Sequence, residues 1–147
     1  MLPKGKKVRV RITAKDVLHN FYLPHFQVKM DAIPGLPTYF IFTPKTTTEE
    51  YRMELKKFPE YNVPADPAEP NGPKKWEMFN FELACAELCG KGHFSMRKLV
   101  KIVSNEEYQK WMAAQKSSFE TNIKGQVEPG KYTWYKEEAK SDTTTVK

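Results

Sequence analysis

Apolar and polar residues alternate from Val8 to Ile12, with Arg9 and Arg11 between the aliphatic positions. That is the period of a strand with one buried face. Asp16–His25 mixes both kinds and is interrupted by Pro24, which predicts a loop. Phe26–Ala32 predicts a short strand and Pro34-Gly35 a turn. Thr38–Thr43 is aromatic and β-branched, and predicts a strand stopped by Pro44. The period then changes. Thr47 and Glu50 have capping-box spacing, and Tyr51, Leu55 and Phe58 share one helical face, so Thr46–Phe58 predicts a helix. Pro59, Pro64, Pro67, Pro70 and Pro73 make the next stretch semi-stiff and extended. Trp76–Ala84 predicts a strand with Phe79, Phe81 and Leu83 on one face, and Leu99–Val103 another. Ser104 with Glu107 caps a helix carrying Tyr108, Trp111 and Met112. From about Ser117 the chain is polar and reads as a tail.

Short strands with irregular connections predict an all-β class: a β-sandwich with a few helical additions, its core formed by about residues 7–45 and 75–115. The 147 residues suffice for one domain, and 39% hydrophobic with 13% aromatic content fits a packed core. No apolar run approaches the roughly 18 residues that would span a bilayer, and the N-terminus lacks the apolar segment of a secretory signal. The formal charge of +6 is local. Lys4, Lys6, Lys7, Arg9, Arg11 and Lys15 lie among the first fifteen residues without an acid, and the rest of the chain is neutral. No basic stripe with interleaved aromatics appears, which argues against a nucleic-acid partner.

The chemistry is concentrated between Cys85 and Met96. Both cysteines lie there, four residues apart, with His93 four further on and Met96 three after that. Gly90 and Gly92 let the backbone turn between them. A Cys85–Cys89 disulfide would leave His93 and Met96 unexplained. Zinc favours Cys and His and does not recruit Met. Thiolate, thioether and imidazole together are a copper preference. A one-copper blue site uses a single Cys, whereas two thiolates can bridge two copper ions, each capped by an imidazole. The second imidazole must be His19 or His25, and either reaches the loop if the strands are neighbours. Phe94, Phe21 and Phe26 are candidates for excluding water from such a site.

The cluster matches a C-x-E-x-C-x-x-x-H-x-x-M pattern at Cys85, Glu87, Cys89, His93 and Met96. Asp16-Val17-Leu18-His19, Asp31-Ala32-Ile33-Pro34-Gly35 and the Tyr108/Trp111 pair accompany it. In these residues the chain resembles the copper domain of subunit II of haem–copper cytochrome c oxidases, over about residues 7–40 and 74–115. The resemblance implies a cupredoxin-like Greek-key β-sandwich over 1–116, N-terminally incomplete, with an insertion at about 46–74 and a polar tail over 117–147. It implies a dinuclear CuA centre of two copper ions. Cys85 and Cys89 would bridge both, His19 and His93 would bind one each, Met96 would be a weak axial ligand, and Glu87 would donate through its backbone carbonyl. The Glu87 side chain would help hold magnesium or manganese at the interface with subunit I.

The implied role is electron entry: an electron accepted from cytochrome c or a similar haem protein passes to haem in subunit I, where oxygen is reduced and protons are pumped. The chain would be an oxidoreductase subunit with no catalytic residue of its own. It would sit on the outer face, periplasmic or intermembrane-space, of a respiratory membrane. Membrane association would come through N-terminal helices absent from this sequence or through partner subunits. The alternatives are a freestanding CuA-type electron carrier and the similar copper domain of nitrous-oxide reductase. The 46–74 stretch reads as a tolerated surface insertion, or else as a lid or docking element. His25 reads as structural, or else as a stand-in ligand. Arg97 reads as solvated, or else as a partner of the Glu87 region or a haem propionate.

Overall fold

Eight short strands and three helices build the computed structural model, which describes residues 1–117. The strands are β1 (Leu2–Pro3), β2 (Val8–Ile12), β3 (His19–Leu23), β4 (Val28–Ala32), β5 (Thr38–Phe42), β6 (Phe81–Ala84), β7 (Arg97–Val100) and β8 (Ile102–Val103). The helices are α1 (Thr48–Leu55), α2 (Lys75–Met78) and α3 (Asn105–Ala114). Residues 1–112 form one compact unit. Apart from Ser117, the polar tail predicted over 117–147 lies outside the described residues.

Three sheets follow from the pairing. The largest has the order β4-β3-β6-β7, all antiparallel; β2 pairs antiparallel with β5, and β1 pairs parallel with β8. The β2–β5 ribbon alternates as its sequence predicts, with Val8, Val10 and Ile12 less exposed than Arg9 and Arg11. On its outer face the Arg9 guanidinium lies over the Tyr39 ring, 4.7 Å from the centroid. On its inner face aromatic contacts join the ribbon to the main sheet. Phe40 meets Phe21 at 5.6 Å between centroids, and Phe42 meets Phe26 at 5.3 Å. Phe26 also meets Phe81 at 5.1 Å. Leu23, Phe81, Ile102 and Val103 are buried around this cluster.

Three expectations are corrected. Asp16–His25 is not all loop, because His19–Leu23 forms β3 in the interior of the main sheet. A strand paired on both edges and covered on both faces shows no alternation, which hid it. The strand predicted over Trp76–Ala84 begins only at Phe81. Lys75–Met78 is a helical turn, started where the Lys74 N–H donates to the Glu77 carboxylate at 2.7 Å. Phe26 lies outside β4, in a 3-10 turn that ends at Gln27 with φ 54°.

The capping box at Thr47 and Glu50 forms as its spacing predicts, both bonds being present. Its helix is more than a surface addition. Thr48 is fully buried, and its hydroxyl accepts a 2.9 Å hydrogen bond from the Ile102 N–H. Leu55 is buried, Tyr51 meets Phe81 at 5.1 Å, and Arg52 donates to the Phe79 carbonyl at 2.8 Å. Lys4 pairs with the Glu50 carboxylate at 2.6 Å. The first part of the 46–74 stretch therefore closes one side of the core, and only its proline-rich remainder is peripheral.

Replacing Thr48 by Val preserves shape but strands a buried N–H. Thr48→Val is expected to lower stability by about 1–3 kcal/mol. Met53→Ala, on the exposed side of α1, should change it by less than about 0.5 kcal/mol. Urea unfolding of the two variants beside the parent checks this.

Candidate metal centre

The hairpin between β6 and β7 holds five of the six predicted ligands. β6 ends at Ala84 and β7 begins at Arg97, so Cys85 and Met96 are the first and last residues of the connection. The Cys85 N–H closes its mouth on the Met96 carbonyl at 3.1 Å. Inside, Gly90 has φ 126°, a conformation that a side chain would strain. The His93 N–H then returns to the Gly90 carbonyl at 3.1 Å, and His93–Ser95 makes one 3-10 turn. This winding turns Cys89, His93 and Met96 back toward Cys85.

The sixth ligand arrives from β3. Tyr22 is paired with Ala84, which sets the start of β3 beside the end of β6. His19 thereby presents Nδ1 to the Cys85 sulfur at 4.0 Å, across 66 residues of sequence. The two sulfurs are 3.7 Å apart. Cys89 Sγ lies 3.6 Å from His93 Nδ1 and 3.4 Å from the Met96 sulfur. The ligand atoms of His19, Cys85 and Cys89 all lie within 4.8 Å of one another. The Glu87 carbonyl lies 3.2 Å from the Cys85 sulfur, while the Glu87 side chain is exposed.

These distances suit a metal. The sulfurs are too far apart for a disulfide, whose S–S bond is about 2.0 Å. They are close enough for one ion to touch both with metal–sulfur bonds of about 2.3 Å. Two thiols, two imidazole nitrogens aimed at them and a thioether form a soft-to-borderline donor set of the kind copper takes.

The electrostatics prepare one thiol for ligation. Burial opposes ionisation of Cys85. The backbone at Glu87 and Asn20 and the His19 and His93 rings outweigh it and bring the thiol down to about 6. Cys89 is shifted the other way, by burial and then by its neighbour Cys85. His19 is raised, first by its hydrogen bond to Asp16 and then by Cys85; Asp16 is lowered, first by His19. The His19 Nε2 lies 2.8 Å from the Asp16 carboxylate, which leaves Nδ1 to face the sulfurs.

His25 is not in this group. Its ring stands edge-on to Phe79 at 5.0 Å and Phe81 at 5.7 Å, as a packing residue. Arg97 is solvated, as expected, and pairs with Glu82 across β6 and β7 rather than with Glu87. Phe94 is 88% exposed and shields nothing; Leu88 beside it in the loop is 83% exposed. Phe21 instead lines a groove of about 460 Å³ that reaches His19, Cys85 and Met96. Sequence reading missed Asp16, although its signal was present: a carboxylate three residues before a candidate ligand histidine.

Known proteins resemble this chain in sequence and in fold. The family described as cytochrome C oxidase subunit II, periplasmic domain, matches residues 1–49. The alternative cytochrome c oxidase subunit 2 of Bradyrhizobium diazoefficiens is 34% identical over 116 residues, which are 79% of this chain and 31% of that protein. Cytochrome c oxidase subunit 2 of Thermostichus vulcanus is 32% identical over 110 residues, 75% of this chain and 24% of that one. The chain thus spans about a third or less of the curated relatives it matches. The crystal structure of the periplasmic domain of subunit II of cytochrome oxidase from Bradyrhizobium japonicum superimposes with a TM-score of 0.53 at 29% identity, over 76% of this chain and 59% of that one. Among the described residues no helix is long and apolar enough to cross a membrane.

The asymmetry between the thiols is measurable without metal. Iodoacetamide should label Cys85 with a midpoint near pH 6. At pH 7 it should react at least about tenfold faster than Cys89. Peptide mass spectrometry after timed quenching checks this, and equal rates would contradict the assigned asymmetry.

Proposed function

The chain belongs to the cytochrome c oxidase subunit II family, and from that premise we propose that it is the copper-binding electron-entry domain of a haem–copper oxidase. The observation that carries this reading is the convergence of two sulfurs 3.7 Å apart with an imidazole nitrogen directed at each. Cys85 and Cys89 would hold copper as thiolates, with His19 and His93 offering Nδ1, Met96 its thioether and Glu87 its carbonyl. Copper bound in this way supplies a one-electron redox couple shared over two metals and two polarizable sulfurs.

The residues of the chain limit rearrangement as charge changes. His19 is fixed by the backbone of β3 and by Asp16 at its far nitrogen. Cys85 and Met96 are tied together by the hydrogen bond at the hairpin mouth. Ligands held on paired strands resist displacement, which keeps the cost of electron transfer low. The thiol of Cys85, near 6, is ready to ligate as a thiolate at neutral pH.

The partners in this reading are oxidase subunit I and, on the donor side, cytochrome c or a similar haem protein. Electrons pass to haem in subunit I, where oxygen is reduced and protons are pumped. The exposed Glu87 carboxylate is free to share a magnesium or manganese ion at that interface, oxygen being the ligand such hard cations take. The domain works on the outer face of the respiratory membrane.

Refolding the chain with copper tests the reading. Two coppers per chain and a dinuclear electron paramagnetic resonance signal are expected. Cys85→Ser or Cys89→Ser should abolish that signal. Met96→Leu should retain both ions with a shifted reduction potential. His19→Ala should lose the visible spectrum and His25→Ala should keep it. One copper per chain with a single-nucleus hyperfine pattern would overturn the reading.

A further inference from the structure

Asn20 follows the histidine that β3 delivers to the cluster, and it is 4% exposed. A strand interior at that depth normally takes an apolar side chain. The amide is committed in one direction: its Nδ2 donates to the Asp31 carboxylate at 2.6 Å, directly across the β3–β4 ladder. Its Oδ1 is buried without a partner among the described residues. A buried unpaired acceptor lowers stability, so packing alone does not account for this residue.

Its neighbour in the chain faces the site, His19 Nδ1 lying 4.0 Å from the Cys85 sulfur. Asn20 thus grips Asp31 with its side chain, one residue from His19. The Asp31 end is itself held, since its carbonyl accepts from the Thr38 hydroxyl at 2.7 Å. Among the described residues β3 meets β6 at one ladder position only, Tyr22 with Ala84, on the far side of Asn20 from His19. The pairing that sets the His19–Cys85 distance is therefore short, and the amide clamp braces it.

We propose that Asn20 is a positioning residue of the metal centre: its bond to Asp31 fixes the start of β3 so that His19 Nδ1 keeps its aim at the Cys85 sulfur. The inference rests on the copper reading above. It concerns this chain's own residues, and neither Asn20 nor Asp31 is a ligand in that reading.

The full chain, refolded with copper, provides the test. Asn20→Ala and Asp31→Ala should each still bind two coppers. Each should lose copper to a competing chelator about 10–100-fold faster than the parent and shift the visible charge-transfer band. Because one bond is involved, the double variant should be no faster than the worse single variant. Exchanging the partners, Asn20→Asp with Asp31→Asn, restores a donor opposite a carboxylate and should recover most of the loss. Phe81→Leu serves as the stability control: it should lower the melting temperature without moving the band. Additive effects in the double variant would overturn the clamp, as would unaltered copper release, or a band that moves equally in the Phe81 variant. A parent chain that binds no copper would overturn the functional reading itself, and the clamp with it.

Discussion

One ladder position, Tyr22 opposite Ala84, joins β3 to β6, and the whole cluster depends on it. Without that contact His19 belongs to one hairpin and the cysteines to another, 66 residues away. With it, a strand start and a strand end lie side by side, and ligand atoms on both come within 4.8 Å. The loop between β6 and β7 then needs only local turns to add His93 and Met96. A centre built on paired strands gains rigidity from the sheet, which a site carried on loops alone would lack.

The cluster brings together groups that oppose one another until a cation joins them. Two thiols at 3.7 Å cannot both ionise easily, which is why burial and Cys85 raise Cys89 while backbone and imidazole groups lower Cys85. A bound cation removes that opposition and adds its binding energy to folding. The same logic accounts for Asp16, which holds the far nitrogen of His19 and leaves the near one free. The polar arrangement at the site is thus a chain of directed bonds. The aromatic packing of Phe21, Phe26, Phe40, Phe42 and Phe81 supplies the stability underneath.

The helix between β5 and the proline-rich stretch illustrates how an apparent insertion becomes part of a core. Its capping box is a local feature. The burial of Thr48 and its bond to Ile102 are not, since they join residues 54 apart. Lys4 and Arg52 hold the same helix to the N-terminal segment and to the start of β6. Its recorded contacts run to Phe79, just before β6, and to Ile102 in β8.

The sequence by itself determined the candidate ligand inventory, the β2 and β5 strands, the capped helix α1 and the family resemblance. These rest on periodicity, on short-range spacing and on residue chemistry, all of which are written along the chain. Only the tertiary structure decided that His19 comes within 4.0 Å of the Cys85 sulfur, that β3 is a strand at all, and that Asn20 meets Asp31 across a ladder. Each of those depends on pairing between distant segments. A strand buried on both faces loses the alternation that would announce it, and a side chain braced across a ladder carries no mark of its partner in the local sequence. The pairing of Arg97 with Glu82 and the exposure of Phe94 were hidden for the same reason: residue type fixes what a side chain can do, and the fold fixes what it faces.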